Sequence, residues 1–214
     1  MIMMAGPKQT YHHGDLRNAL VQAAAQAIAE AGADGFSLRG VARSVGVSPN
    51  ATYRHFKDKS ALLSAVGQLG LERLAEQMRE SQAKRTRRRS DPALEQFRAT
   101  GRAYVDFAVE HPELFRLTFG KREGASIDEQ PLSDPVLSPY AVLGKALDGL
   151  VEAQIIPAHN REGAELKAWS VVHGFTTLLL ERGLTFPSER ARVDAVESLL
   201  DFVVAGLGNK SAPA

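Results

Sequence analysis

Ser37-Leu38-Arg39-Gly40-Val41-Ala42-Arg43-Ser44-Val45-Gly46-Val47-Ser48-Pro49-Asn50-Ala51-Thr52-Tyr53-Arg54-His55-Phe56 contains two helix starts eleven residues apart, joined by a glycine turn. Ser37 is placed to cap the first helix, its hydroxyl accepting from an early N–H. Phe36 and Val41 flank that cap as a hydrophobic staple. Leu38, Val41, Ala42 and Val45 then recur at helical spacing. Gly46 ends the helix, because glycine tolerates the left-handed conformation of a C-terminal turn. Ser48 opens a second helix with Pro49 at its first position, where a missing N–H costs little. Two short helices about a tight turn make a helix-turn-helix. The second carries Asn50, Thr52 and Tyr53, a set of groups suited to the DNA major groove.

Outward from this motif, the periodicity is helical almost throughout. Leu16, Ala19, Leu20, Ala23, Ala24, Ala27 and Ile28 predict a helix that Gly32 closes. Leu62, Leu63, Val66, Leu69, Leu74 and Met78 predict a long helix from Asp58 or Lys59 to about residue 84. The run Lys84-Arg85-Thr86-Arg87-Arg88-Arg89 and Ser90-Asp91-Pro92 follow as the expected domain boundary. Further helices are expected over Leu94 to Glu110, Glu113 to Phe119, Pro139 to Gln154, Arg161 to Arg182 and Ser188 to Leu207, with a long loop over 120–137. No strand pattern competes. The fold class is all-α: an N-terminal three-helix domain over 14–74, joined by a long helix to a larger C-terminal helical domain over 90–208.

The 214 residues contain no cysteine, which excludes disulfides, thiolate zinc sites and cysteine nucleophiles. No apolar run reaches membrane-spanning length, and residues 1–10 read as a tail rather than a signal peptide, so a cytoplasmic location and no membrane partner are expected. Net charge is only +1. Its distribution is uneven: residues 1–60 carry Lys8, Arg17, Arg39, Arg43, Arg54, Lys57 and Lys59 against Asp15, Glu30, Asp34 and Asp58, with His12, His13 and His55 besides. A basic N-terminal third on a slightly acidic remainder fits a DNA-facing module.

The ordered set Gly35-Phe36-Ser37-Leu38-Arg39-Gly40-Val41-Ala42, Gly46-Val47-Ser48, Tyr53-Arg54-His55-Phe56-Lys57-Asp58-Lys59 and Leu62-Leu63 resembles the N-terminal domain of the TetR family of transcriptional regulators. Asn50, Thr52 and Ser60 depart from the commonest family pattern, so the operator sequence does not carry over. Glu110-His111-Pro112-Glu113-Leu114-Phe115-Arg116-Leu117-Thr118-Phe119-Gly120 and Trp169-Ser170-Val171-Val172-His173-Gly174 resemble the Trp-His-Gly C-terminal domain of some TetR regulators. The resemblance implies double-stranded operator DNA as partner, a helical dimerisation and sensing body, and repression as the usual outcome.

Residues 37–56 supply the expected DNA contacts. Thr52, Asn50 and Pro49 are candidates for base edges; Arg39, Ser48, Tyr53, His55 and Lys59 are candidates for phosphates, Lys59 at a helix N-terminus. In the family resembled, positions matching Tyr53, His55 and Lys59 serve this purpose. Tyr53 packed half into the core and His55 as a plain surface residue are the competing readings. Lys8, Tyr11 and His12 are candidates for an N-terminal arm. The arginine run reads better as a solvated helix end than as a phosphate patch. A homodimer is expected through the last two helices, about 161–182 and 188–207. Phe97, Tyr104, Phe107, Phe115, Phe119, Leu143, Leu147, Trp169 and His173 could line a pocket for a small, mostly apolar effector, although aromatics at helical spacing are more often core. No cofactor, metal site or catalytic motif is found. An effector-independent silencer or architectural protein is the alternative, and an all-helical enzyme comes third.

Overall fold

The computed structural model describes residues 13–84, 91–120 and 138–209, with side chains from residue 16 onward. Arg85 to Arg89 of the arginine run, most of the 120–137 loop, and the arm candidates Lys8, Tyr11 and His12 lie outside the described residues. The chain divides into two compact units between Gly67 and Gln68.

The N-terminal unit consists of α1 (His13–Gly35), α2 (Leu38–Ser44), α3 (Pro49–Tyr53) and the first turns of α4 (Lys59–Ala83). Within α1 the helical dihedrals fail at Gly32, where the sequence expects the helix to close. The Ser37 hydroxyl accepts from Gly40 N–H at 3.1 Å and caps α2. At its other end, Gly46 N–H donates to Arg43 O at 3.1 Å and Val47 N–H to Ala42 O at 2.9 Å. This paired bonding requires a left-handed residue, which Gly46 supplies with φ +76°. Ser48 caps α3 by accepting from Ala51 N–H at 3.3 Å. The core contains the buried side chains Leu20, Ala24, Ile28, Val41, Ala42, Phe56, Leu62 and Val66. Leu38, Val47 and Ala51 are half-buried at its margin.

The C-terminal unit contains the rest of α4, then α5 (Pro92–Glu110), α6 (Pro112–Phe119), α7 (Pro139–Glu152), a short 3-10 turn (Ala158–Asn160), α8 (Ala164–Leu180) and α9 (Glu189–Gly208). Helix α5 packs against α6, α7, α8 and α9. Its buried residues, from Phe97 and Ala99 through Thr100, Tyr104 and Val105 to Phe107, fall on nearly every side, as a central helix requires. One edge of α5 is polar and joined to α9. Arg98 pairs with Asp201, Arg102 with Glu197 at 2.7 Å, and Arg192 with Asp106 at 3.1 Å. Asn160 Nδ2 donates to Leu207 O at 2.7 Å and Asn209 O at 2.8 Å, tying down the end of α9. The division at Gly67 falls inside α4, which runs from Lys59 to Ala83, and the arginine run lies beyond that helix.

Candidate nucleic-acid interface and apolar cavity

Two faces of α3 decide what it can touch. Thr52 is completely buried, as is Phe56 four residues later at 2% exposure, and Phe56 N–H donates to Thr52 O at 2.9 Å. Both lie on the inner face. Pro49, Asn50, Tyr53 and Arg54 are exposed and fall at helical spacing on the opposite face. This corrects the expectation that Thr52 reads a base: its hydroxyl oxygen is sealed in the core with no hydrogen-bond partner. Asn50 and Pro49 remain available to base edges. Tyr53, at 48% exposure, presents its ring outward. The helical offset from Asn50 to Arg54 could have revealed Arg54, which the sequence reading left out.

Lys59 also makes contacts within the protein. Its ammonium lies 4.7 Å over the Phe36 ring and donates to Asp34 O at 3.3 Å, so it fastens the start of α4 to the turn before α2. The first turn of α4 is closed by Asp58, whose carboxylate accepts from Ala61 N–H at 2.7 Å. That arrangement puts an anion at the helix start and leaves less of its positive end for a phosphate. Arg17 is similarly committed, 5.1 Å over the Phe56 ring.

The other cations of this unit are differently placed. Arg39, Arg43, Arg54 and Lys57 are exposed, and no described residue forms an ion pair with any of them. The described ion pairs all belong to the C-terminal unit, from Arg79–Glu76 to Arg192–Glu189. Exposed cations beside an exposed polar helix face form an electrostatic footprint for a phosphate backbone. Ser48 adds a hydroxyl that keeps its own proton to donate, and His55 is half-buried at the edge.

The C-terminal unit holds an apolar cavity of about 40 Å³ that is partly open to solvent. Of the expected pocket residues, Phe97, Tyr104, Phe119, Leu143 and Trp169 line it. Phe107, Phe115 and Leu147 do not: they are at most 3% exposed and belong to the packed core. His173 stands behind the wall. Its ring stacks on Phe115 at 5.7 Å, and its Nδ1 lies 2.7 Å from the Tyr104 hydroxyl. Trp169 Nε1–H donates to the same hydroxyl at 3.1 Å. Leu71, Met78, Thr100, Gly101, Pro139, Tyr140, Ala168, Val172 and Leu200 complete the lining and were not anticipated. Most are small or aliphatic residues that periodicity assigns to core without distinguishing a wall from a filled interior.

Burial holds the Tyr104 hydroxyl well above the usual phenol range, against an opposing effect of the bond from Trp169. Burial also lowers the His173 imidazole. Both groups are therefore neutral near pH 7. Among the described residues no His, Asp or Glu cluster could hold a metal ion, and no helix is long and apolar enough to cross a membrane.

A helix-turn-helix with an exposed basic rim, on a chain whose second unit is a helical body around an apolar cavity, defines a DNA-binding regulator. Residues 20–66 match the family described as bacterial regulatory proteins, tetR family, and residues 97–203 match the tetracyclin repressor-like C-terminal domain. The chain belongs to the TetR family of transcriptional regulators. It is 27% identical over 180 residues to the HTH-type transcriptional regulator YobS of Bacillus subtilis, covering 84% of each chain. A solved structure of a protein from Rhodococcus sp. RHA1 is 30% identical with a TM-score of 0.72, covering 94% of this chain and 100% of that one. The fold is also that of the TetR regulator PfmR from Thermus thermophilus, at 19% identity and TM-score 0.59, over 89% of this chain and 99% of that one.

Proposed function

We propose that this regulator is a cytoplasmic homodimeric repressor that binds a palindromic operator and leaves it when a small, mostly apolar effector occupies the cavity. The apolar cavity in a chain with a helix-turn-helix is the observation that carries this reading. An effector that binds one arrangement of the C-terminal unit better than another shifts the population between DNA-competent and DNA-incompetent states.

The outer faces of α8 and α9 support the dimer. Leu166 is 64% exposed, Leu178 50% and Phe202 67%, and all three lie on these two helices. On the same helices, a Cβ added at Gly174 or Gly206 would meet nothing within 4 Å. Large apolar side chains beside open glycines suit close packing of two helices from each protomer. Two recognition helices in a twofold dimer then meet half-sites about 34–36 Å apart.

In vitro selection of DNA from a random pool, with the full chain, tests this reading. A palindromic winner is expected, and Phe202→Glu should give a monomer in sedimentation that retains helicity but loses the operator. A compound that saturates the cavity should then lower operator affinity. Unchanged affinity would remove effector release, and a non-palindromic winner bound by monomers would remove the dimer.

A further inference from the structure

The hydrogen bonds around Tyr104 define what the cavity accepts. Trp169 Nε1–H can only donate, so at 3.1 Å the Tyr104 oxygen is its acceptor. A neutral imidazole protonated on Nε2 lets the phenol donate its proton to His173 Nδ1, 2.7 Å away, which gives that proton an acceptor. Trp169 Nε1–H, the Tyr104 hydroxyl and His173 Nδ1 are thereby engaged with one another. Thr100, also on the wall, is equally committed: its hydroxyl donates to Gln96 O at 2.9 Å and accepts from Gln82 Nε2 at 2.8 Å. Among the described residues no charged side chain lines the cavity.

Resting on the effector reading above, we infer that the cavity takes an uncharged aromatic ligand, and that Tyr104 is the residue that sets this choice. Tyr104 occupies the space between the two groups, Trp169 Nε1–H and the imidazole, that could otherwise hold an anion. Among the described wall residues a carboxylate finds no counterion, and burying it unpaired is costly. A flat ring finds Phe97, Tyr104, Phe119, Tyr140 and Trp169 in the walls, with Tyr140 and Trp169 already edge-to-face at 5.6 Å. Aromatic pairs of this kind favour one another beyond the area they bury.

Trp169 is the chain's only tryptophan and lines the cavity, so its emission reports occupancy directly. Three heavy-atom quenchers of similar size separate the ligand classes: 4-bromotoluene, 4-bromobenzoate and 1-bromohexane. With the full-length protein, 4-bromotoluene should quench with a Kd roughly 100-fold or more below that of 4-bromobenzoate. It should also bind more tightly than 1-bromohexane. Tyr104→Leu vacates the space before Trp169 and His173 and leaves two groups able to donate to a carboxylate, the imidazole by taking up a proton. In that variant 4-bromobenzoate should gain roughly tenfold or more over its wild-type affinity, and adding His173→Asn should abolish the gain.

Equal quenching of the wild type by the acid and the hydrocarbon would overturn the charge selectivity while leaving an effector cavity in place. Equal binding of 1-bromohexane would overturn the aromatic class. A folded Tyr104→Leu still indifferent to the acid would overturn the role of Tyr104. Silence from all three probes would overturn the proposal and the effector reading together. If Tyr104→Leu does not fold, the wild-type comparison still decides the ligand class.

Discussion

Gly70 in α4 lies so close to Thr118 in α6 that a Cβ at Gly70 would overlap the threonine hydroxyl oxygen. The hydroxyl cannot simply rotate away, because it donates to Leu114 O at 2.7 Å in a buried site. Leu114 Cδ1 stands 3.3 Å from the same point. Gly70→Ala therefore forces two helices apart or breaks the Thr118 bond, and overpacking of this kind costs about 1–3 kcal/mol. Urea unfolding should show the loss, and Gly70→Ala/Thr118→Ala should recover part of it. Strict additivity of the two single changes would mean the residues are not coupled.

Thr52→Val tests the corrected face of α3. Valine has the shape of threonine without the buried hydroxyl that lacks a partner. Removing such a group stabilises by about 1 kcal/mol, since its desolvation is no longer uncompensated. The denaturation midpoint should rise while the selected DNA consensus stays the same. A changed consensus with unchanged stability would return Thr52 to the reading face.

Asn50→Ala and Arg54→Ala should separate base reading from phosphate binding on the exposed face. Loss of a bidentate base contact costs about 1–3 kcal/mol at one position and relaxes preference there. Loss of one phosphate contact weakens all sequences alike and lowers the salt slope by about 1. Titration of selected and scrambled duplexes at several salt concentrations distinguishes the two. Lys59→Met belongs to a third class. With its ammonium over Phe36 and bonded to Asp34 O, its removal should lower the thermal midpoint as well as any DNA affinity. Loss of affinity with an unshifted midpoint would make Lys59 a pure phosphate ligand.

The helices were legible because their ends are chemical. Ser37, Gly46, Ser48 and Pro49 act through their own backbone and hydroxyl geometry, which no distant residue alters. The faces of α3 were harder to assign. In five residues, one turn of helix gives no repeat to average, and threonine suits either core or surface. Only its offset of four from Phe56 points inward. The cavity was half legible for a related reason. Periodicity marks Phe97, Phe107 and Trp169 alike as inward, but whether a side chain faces a neighbour or a void depends on how α4, α5, α7 and α8 pack. The commitment of Lys59 was hidden because Phe36 and Asp34 lie far from it in sequence.

His173 gives the protein a pH signature that can be read without any ligand. Burial lowers its folded-state pKa, and the ordinary value is 6.5. In the fold, Nδ1 accepts from Tyr104, so protonation there would also expel a hydrogen bond. As pH falls below about 6.5 the unfolded chain takes up a proton on this residue while the folded chain does not. Stability therefore falls with pH from about 6.5 down to the lowered folded value, at no more than about 1.4 kcal/mol per pH unit from this group. Above that window both states are neutral and the contribution is flat. Urea midpoints at pH 7.5 and 5.5 should differ more for the wild type than for His173→Asn, which keeps an acceptor for Tyr104 but cannot take the proton. Equal differences in the two proteins would show that the imidazole is not held neutral by its surroundings.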